Sequence, residues 1–177
     1  MKIKVIYLAL LATIIAGCGT SRKSARLIGD SYNVELNKTT LVMFPYEDME
    51  IQGKWTIKNI VPSSGQIILT TGDSTAIAIA KNPGEKYSFY SDSKSELDLV
   101  IDFYNWETSY WEAAGYSFEK LVENSQEKFI VCKLITKDFD NIFLFGIKNN
   151  IMMNYMIASK WDEKEEIEFL ELLFINN

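Results

Sequence analysis

The chain of 177 residues contains no histidine at all. This one absence removes Ser-His-Asp and Cys-His arrangements, HExxH zinc sites and every proton shuttle built on imidazole. Any catalysis must therefore rest on carboxylates, lysine, tyrosine or a hydroxyl. Cysteine is nearly as scarce, with two residues, Cys18 and Cys132. Internal repeats and low-complexity blocks are also missing. The formal charge of −6 is acidic, which argues against nucleic acid or a membrane as a partner of the folded face. Aromatic residues at 13% exclude a disordered chain.

What is present begins at the N-terminus. Lys2 and Lys4 precede an almost wholly apolar run from Val5 to Ala16. That run is shorter than the ~20 residues of a spanning helix and has the flanks of a secretion signal. It ends in Ile15-Ala16-Gly17-Cys18, which resembles the lipobox of bacterial lipoproteins: an aliphatic residue, two small ones, then cysteine. The resemblance implies that Ile15, Ala16 and Gly17 are read by the signal peptidase and that Cys18 is acylated as the first residue of the mature protein. Small residues let the peptidase grip an extended backbone, and the sulfur receives the lipid. Each buried methylene contributes ~0.8 kcal/mol, so two or more acyl chains anchor a protein almost permanently. Removal of residues 1–17 leaves 160 residues and, with Lys2 and Lys4 gone, a charge of −8.

Gly19 to Ala25 is small and polar, and Arg22, Lys23 and Arg26 bring three positive charges with no acid. Residues 18–30 are read as a tether. Its charges either hug anionic headgroups within a Debye length or are simply solvated. Gly19 is unlike the aspartate that retains enteric lipoproteins at the inner membrane, and no acidic export run follows. The expected location is the periplasmic face of the outer membrane. With Cys18 acylated, Cys132 has no partner in the chain. Its setting in FIVCKLI, apolar on both sides, predicts a buried and inert thiol.

Residues 31–177 are expected to form one domain. Tyr32 to Leu41 reads as a first strand or edge segment, followed by Phe44-Pro45-Tyr46 and an acidic stretch. WTIKNIV, QIILTT and STAIAIAKN are β-rich runs separated by turn chemistry at Pro62-Ser63-Ser64-Gly65 and Thr71-Gly72-Asp73. In the third run Ala76, Ala78 and Ala80 share one face, where a helix can approach closely. Asn82-Pro83-Gly84-Glu85 reads as a turn and Lys86 to Tyr90 as a further strand.

The period then changes. Leu99, Phe103, Trp106, Tyr110 and Ala113 recur at helical spacing, with Asp98, Asp102, Asn105, Ser109 and Glu112 on the other side. Ser93-x-x-Glu96 is expected to cap this helix and Gly115 to end it. Four strand-like runs follow at Phe118–Glu123, Lys128–Thr136, Ile142–Lys148 and Ile151–Ala158. Asn149-Asn150 suits a type I′ hairpin between the last two. A terminal helix from Trp161 to Phe174 has Asp162 as its cap and Ile167, Leu170 and Phe174 as its buried face.

This order predicts an α+β fold: an antiparallel sheet of six to seven strands covered by helices. Over roughly residues 40 to 176 the element order, the Trp55 opening strand and the WDEKEEIEFLELLF helix resemble the PsbP-like α/β/α sandwich. Small bacterial lipoproteins resembling DcrB share that fold. The fold serves photosystem subunits, nuclear transport factors and lipoproteins of unknown role, so the resemblance implies no mechanism. GKWTI at residues 53–57 supports the alternative, a lipocalin-like β-barrel, against which the internal helix counts.

Candidate chemistry is sparse. Ser91-Asp92-Ser93-Lys94 matches S-x-x-K, but the companion motifs are missing and helix capping explains the same residues. Asp138-x-Asp140-Asn141 has calcium-loop spacing, yet Phe143 replaces the central glycine and Asn149 the bidentate glutamate. Glu107 and Glu112 flank Tyr104, Trp106, Tyr110 and Trp111, a composition that suits sugars, although acids five apart on a helix point in different directions. Trp111 and Tyr116 near the helix end are candidate partner contacts. The acidic residues opening the terminal helix read as a solvated face that complements the dipole. No cofactor or metal is expected. The composition favours a membrane-anchored, non-enzymatic accessory module for an unidentified envelope protein. The alternative is a carrier for a small apolar or lipid-like ligand, prompted by Ile151-Met152-Met153.

Overall fold

The computed structural model describes residues 28–136 and 140–177. Within them the order is β1 (Ile28–Asn33), β2 (Lys38–Met43), β3 (Met49–Gln52), β4 (Thr56–Val61), β5 (Gln66–Thr70) and β6 (Ala76–Pro83). A short 3-10 helix (Gly84–Lys86) leads to α1 (Glu96–Ala113). After it come β7 (Ser117–Asn124), β8 (Phe129–Ile135), β9 (Asp140–Lys148), β10 (Ile151–Ala158) and α2 (Glu163–Ile175). Seven strands form one antiparallel sheet in the order β4-β5-β6-β10-β9-β8-β7, and β1-β2-β3 form a small second sheet. The large sheet is open at β4 and β7, so the barrel alternative is excluded.

Alternation along the central strands sends side chains into two separate cores. Ile77 and Ile79, Leu144, Met153, Tyr155 and Ile157 pack on one side with Leu41, Met49 and Ile51 of the small sheet and Leu170, Leu173 and Phe174 of α2. Ala78, Cys132, Phe143, Phe145, Met152 and Met156 pack on the other with Leu99, Val100 and Phe103 of α1. The result is a sandwich: α1, then the seven-stranded sheet, then α2 beside the small sheet.

Four local features depart from the sequence reading. The segment expected as one strand over Tyr32–Leu41 is a hairpin, and its first strand takes in Ile28–Asp30 at the end of the presumed tether. The chain reverses because Asn33 Oδ1 accepts from the Leu36 N–H at 3.0 Å and Asn37 adopts φ 48°, a left-handed angle that asparagine tolerates. The acidic stretch hides β3, whose Met49 and Ile51 are buried while Glu50 and Gln52 face water. Lys86–Tyr90 is not a strand. Its rings Tyr87, Phe89 and Tyr90 fold over the α1-side core, while α1 itself packs on β7, β8 and β9 rather than over the alanines of β6.

The fourth departure concerns α1. Its N-cap is Ser95, whose Oγ accepts from the Asp98 N–H at 3.1 Å, so the helix opens two residues later than the Ser93 box implied. The buried face runs through Leu99, Val100, Phe103 and Thr108, leaving Tyr110 44% exposed and Ala113 in solvent. At about 100° per residue the expected stripe centres on the Leu99 direction, whereas the buried face centres nearer Val100 and Glu107, so Tyr110 and Ala113 fall at its edge. By contrast, the hairpin at Asn149 (φ 49°) and Asn150 (φ 61°) and the Asp162 cap of α2 are as expected, and Glu165 completes a capping box there.

One glycine is required by packing rather than by a turn. A Cβ on Gly146 of β9 would overlap the Phe174 ring, which is held edge-on by Phe129 at 5.4 Å and Tyr155 at 6.3 Å. Gly146→Ala is expected to lower stability by about 1–3 kcal/mol, the usual range for overpacking. Urea denaturation checks this, and a wild-type midpoint would contradict it.

Candidate functional site

The sequence-predicted residues distribute as follows. Ile15, Ala16, Gly17 and Cys18 lie outside the described residues, as does Asp138. Trp111 and Tyr116 come together where α1 ends. The Gly115 N–H donates to Glu112 O at 2.9 Å and the Tyr116 N–H to Trp111 O at 3.0 Å, which is a Schellman motif. Gly115 supplies the left-handed turn at φ 88°. The apolar contact that accompanies this motif is the ring pair itself, edge to face at 5.6 Å. Trp111 also leans on Phe143 at 6.4 Å and is half-buried, whereas Tyr116 is 38% exposed. The pair therefore has a local reason to exist, and Tyr116 is its exposed member.

The remaining motifs are spent internally. Lys94 Nζ donates to Asp102 Oδ2 and to Phe89 O, both at 2.8 Å, while Ser91 and Ser93 bond each other at the same distance. The lysine is an ion-pair partner rather than a base beside a serine. Asp140 Oδ2 lies 3.0 Å from Lys133 Nζ. No group of three or more acidic or thiol side chains able to hold a metal occurs among the described residues. Cys132 is fully buried, and burial pushes its thiol well above the ordinary range. Glu163 pairs with Lys133 at 3.1 Å, but Glu166, expected on a solvated face, is buried and accepts from Ser159 Oγ at 2.7 Å. Burial raises its pKa.

The chemically distinctive cluster is one that the motif search passed over. It lies between α1 and the middle of the large sheet. Asn154 of β10 and Asn82 of β6 are buried polar residues on the α1 side, alternating with Met152 and Met156 and with Ala78 and Ala80. The Asn154 amide lies against the Glu107 side chain and favours its charged form. Asn82 Nδ2 donates to Ser64 O at 3.2 Å and its Oδ1 accepts from Lys86 Nζ at 2.9 Å. Tyr87 lies beside Asn82 and senses the Glu107 charge, and its ring packs against Phe103 at 5.0 Å and Trp106 at 5.2 Å. Glu112 stands in solvent, so the two carboxylates do not form a working pair.

Glu107 keeps some contact with water, yet its carboxyl is densely surrounded. Burial raises its pKa from 4.5 to about 7, against the opposing effect of Asn154. Burial likewise lifts the Tyr87 phenol far above its usual value. On the opposite face Lys81 is 3% exposed, and burial lowers its amine to about 8, with Lys148 adding to the shift and Glu47 opposing it. Burial brings Glu107 and Lys81 toward neutrality, while Tyr87 stays protonated. The arrangement is that of polar groups tying α1 to the sheet. The clue in the sequence was Asn154, the one amide in the apolar run Ile151–Ala158. At the far end of the sheet, Ile28, Met43, Phe44, Tyr46, Gly65 and Ile67 line a small apolar hollow.

No family model and no curated protein matches the chain. Among solved structures it is similar to the solution structure of cyanobacterial PsbP (CyanoP) from Synechocystis sp. PCC 6803. The two superpose with a TM-score of 0.51 at 9% identity, over 92% of this chain and 96% of the other. The chain has a PsbP-like fold.

The Glu107 site generates a pH prediction. In the unfolded chain this carboxyl ionises near 4.5, whereas in the fold it holds its proton to about 7. Between those values the unfolded state binds fewer protons, so stability falls as pH rises through that window, by roughly 2–3 kcal/mol for such a shift. Glu107→Gln keeps an amide against Asn154 and is expected to remove this loss. Urea denaturation of both proteins at about pH 5 and about pH 8 measures it, and an unchanged pH dependence in the variant would contradict the assignment.

Proposed function

We propose that the chain is a lipoprotein of the bacterial cell envelope, acylated on Cys18 after removal of residues 1–17. Its folded domain acts as a non-enzymatic accessory module that binds another envelope protein. The observation that carries the reading is the placement of Ile15-Ala16-Gly17-Cys18 at the end of the apolar run, ten residues before β1 begins at Ile28. Gly19 and the lack of an acidic run after it favour the periplasmic face of the outer membrane. No helix among the described residues is long and apolar enough to cross a membrane, so attachment in this reading falls to the lipid.

The PsbP-like fold supports a module without chemistry of its own, and the chain's candidate motifs are engaged in local hydrogen bonds and ion pairs. The carrier alternative gains nothing from the methionines that prompted it. Met152, Met153 and Met156 are at most 4% exposed and fill the two cores.

Cys18→Ala is expected to abolish palmitate incorporation, leave the signal uncleaved and release the protein from lipid-dependent retention. Metabolic labelling and membrane fractionation read all three, and normal acylation of the variant would sink the reading. The accessory role predicts a stoichiometric partner co-purifying from detergent-solubilised envelopes. Repeated isolation of the protein alone would count against it.

A further inference from the structure

The chain enters the folded domain at an apolar end. Ile28 pairs with Met43, the last residue of β2, and both line the hollow together with Phe44, Tyr46 and Ile67. Phe44 stands beside it 58% exposed, and Ile60, 38% exposed, lies opposite Ile67 in the β4–β5 ladder. We propose that this end of the domain lies against the lipid bilayer, with Phe44 seated at the boundary between headgroups and acyl chains. The proposal rests on acylation of Cys18 and adds to it an orientation and a contact residue.

Chain length favours this end. Cys18 and Ile28 are ten residues apart, so their Cα atoms are at most roughly 33–36 Å apart. The other prominent apolar tip, Val34 and Leu36 at 76% and 61% exposure, closes the β1–β2 hairpin. Val34 lies six residues beyond Ile28, about 20 Å further along the strand direction. To lay that tip on the membrane, the linker must run back over most of this distance. To lay the Phe44 loop there it need not turn back at all.

Apolar rings exposed next to a membrane attachment point gain by entering the interfacial region. Glu47 and Asp48 follow in the same loop and would be repelled by anionic headgroups if they stood alone. Arg22, Lys23 and Arg26 precede Ile28 by two to six residues in the sequence and bring the opposite charge.

The test uses the full acylated chain in vesicles of phosphatidylethanolamine and phosphatidylglycerol, spin-labelled through Phe44→Cys or Leu36→Cys. Cys132 is fully buried and Cys18 is blocked by its lipid, so the label reports one site. Collision with oxygen, which concentrates in the bilayer, and with a water-soluble nickel chelate is then measured. The label at 44 should show a several-fold lower ratio of chelate to oxygen access than the label at 36. Equal ratios in vesicle-bound protein would overturn the proposal while leaving the anchor intact. Loss of both colliders at 44 would place a second copy of the chain there and also overturn it. Protein that fails to float with vesicles would remove the anchor and this contact together.

Discussion

The structure depends on one constraint: the middle of the large sheet is apolar on both faces. β8, β9 and β10 read as nearly continuous apolar runs because neither face meets water. A sheet of this kind must be covered twice. On one side Leu170, Leu173 and Phe174 of α2 share the task with the small sheet. On the other, α1 covers β7, β8 and β9, and the rings of the preceding connection complete the core. Every other feature is a consequence of fitting those two covers. Gly146 lacks a side chain so that Phe174 can reach β9. Lys148 donates to the last carbonyls of α2, at 2.6 Å to Phe174 O and 3.1 Å to Ile175 O, satisfying the helix end that lies over the sheet.

The two covers differ in polarity. The α2 side includes Tyr155, wholly buried, its hydroxyl near Met153 Sδ at 3.3 Å, and burial pushes that phenol far up. Lys81 of β6 is buried on the same side. The α1 side has the Glu107–Asn154 contact and the Asn82–Lys86–Tyr87 group beside the helix. Apolar packing alone lets a helix slide over an apolar layer. The contact between the half-buried Glu107 carboxyl and one amide adds a directional polar interaction to that layer.

Much of this was legible in the residues. The period-2 runs located the seven strands of the large sheet within a residue or two, Asn149-Asn150 announced its hairpin, and Asp162 announced the start of α2. Three things were not. β1, β2 and β3 form a sheet whose alternation is short and diluted by acids, so Met49 and Ile51 gave too few repeats to stand out. Tyr87 and Phe89 alternate like a strand but bury their rings through a turn following a 3-10 helix, a choice made by tertiary packing. Glu107 lies on the apolar stripe four residues after Phe103, and only the presence of Asn154 across the interface tells a buried acid from a solvated one.

The likeness to cyanobacterial PsbP at 9% identity has the same physical basis. Two sequences that share almost no residues can still share the demand for a sheet covered on both faces, and that demand selects the architecture. It does not select a site, because catalytic or binding residues are grafted on a fold rather than implied by it. In this chain the groups with unusual chemistry, Glu107, Lys81 and Cys132, are all turned inward and hold the covers in place. The residues that carry a functional statement therefore lie before the fold, at Ile15 to Cys18, and at the end where the chain enters it. Function here is argued from how the domain is held, and the two-sided core explains why so little of its polar chemistry reaches the surface.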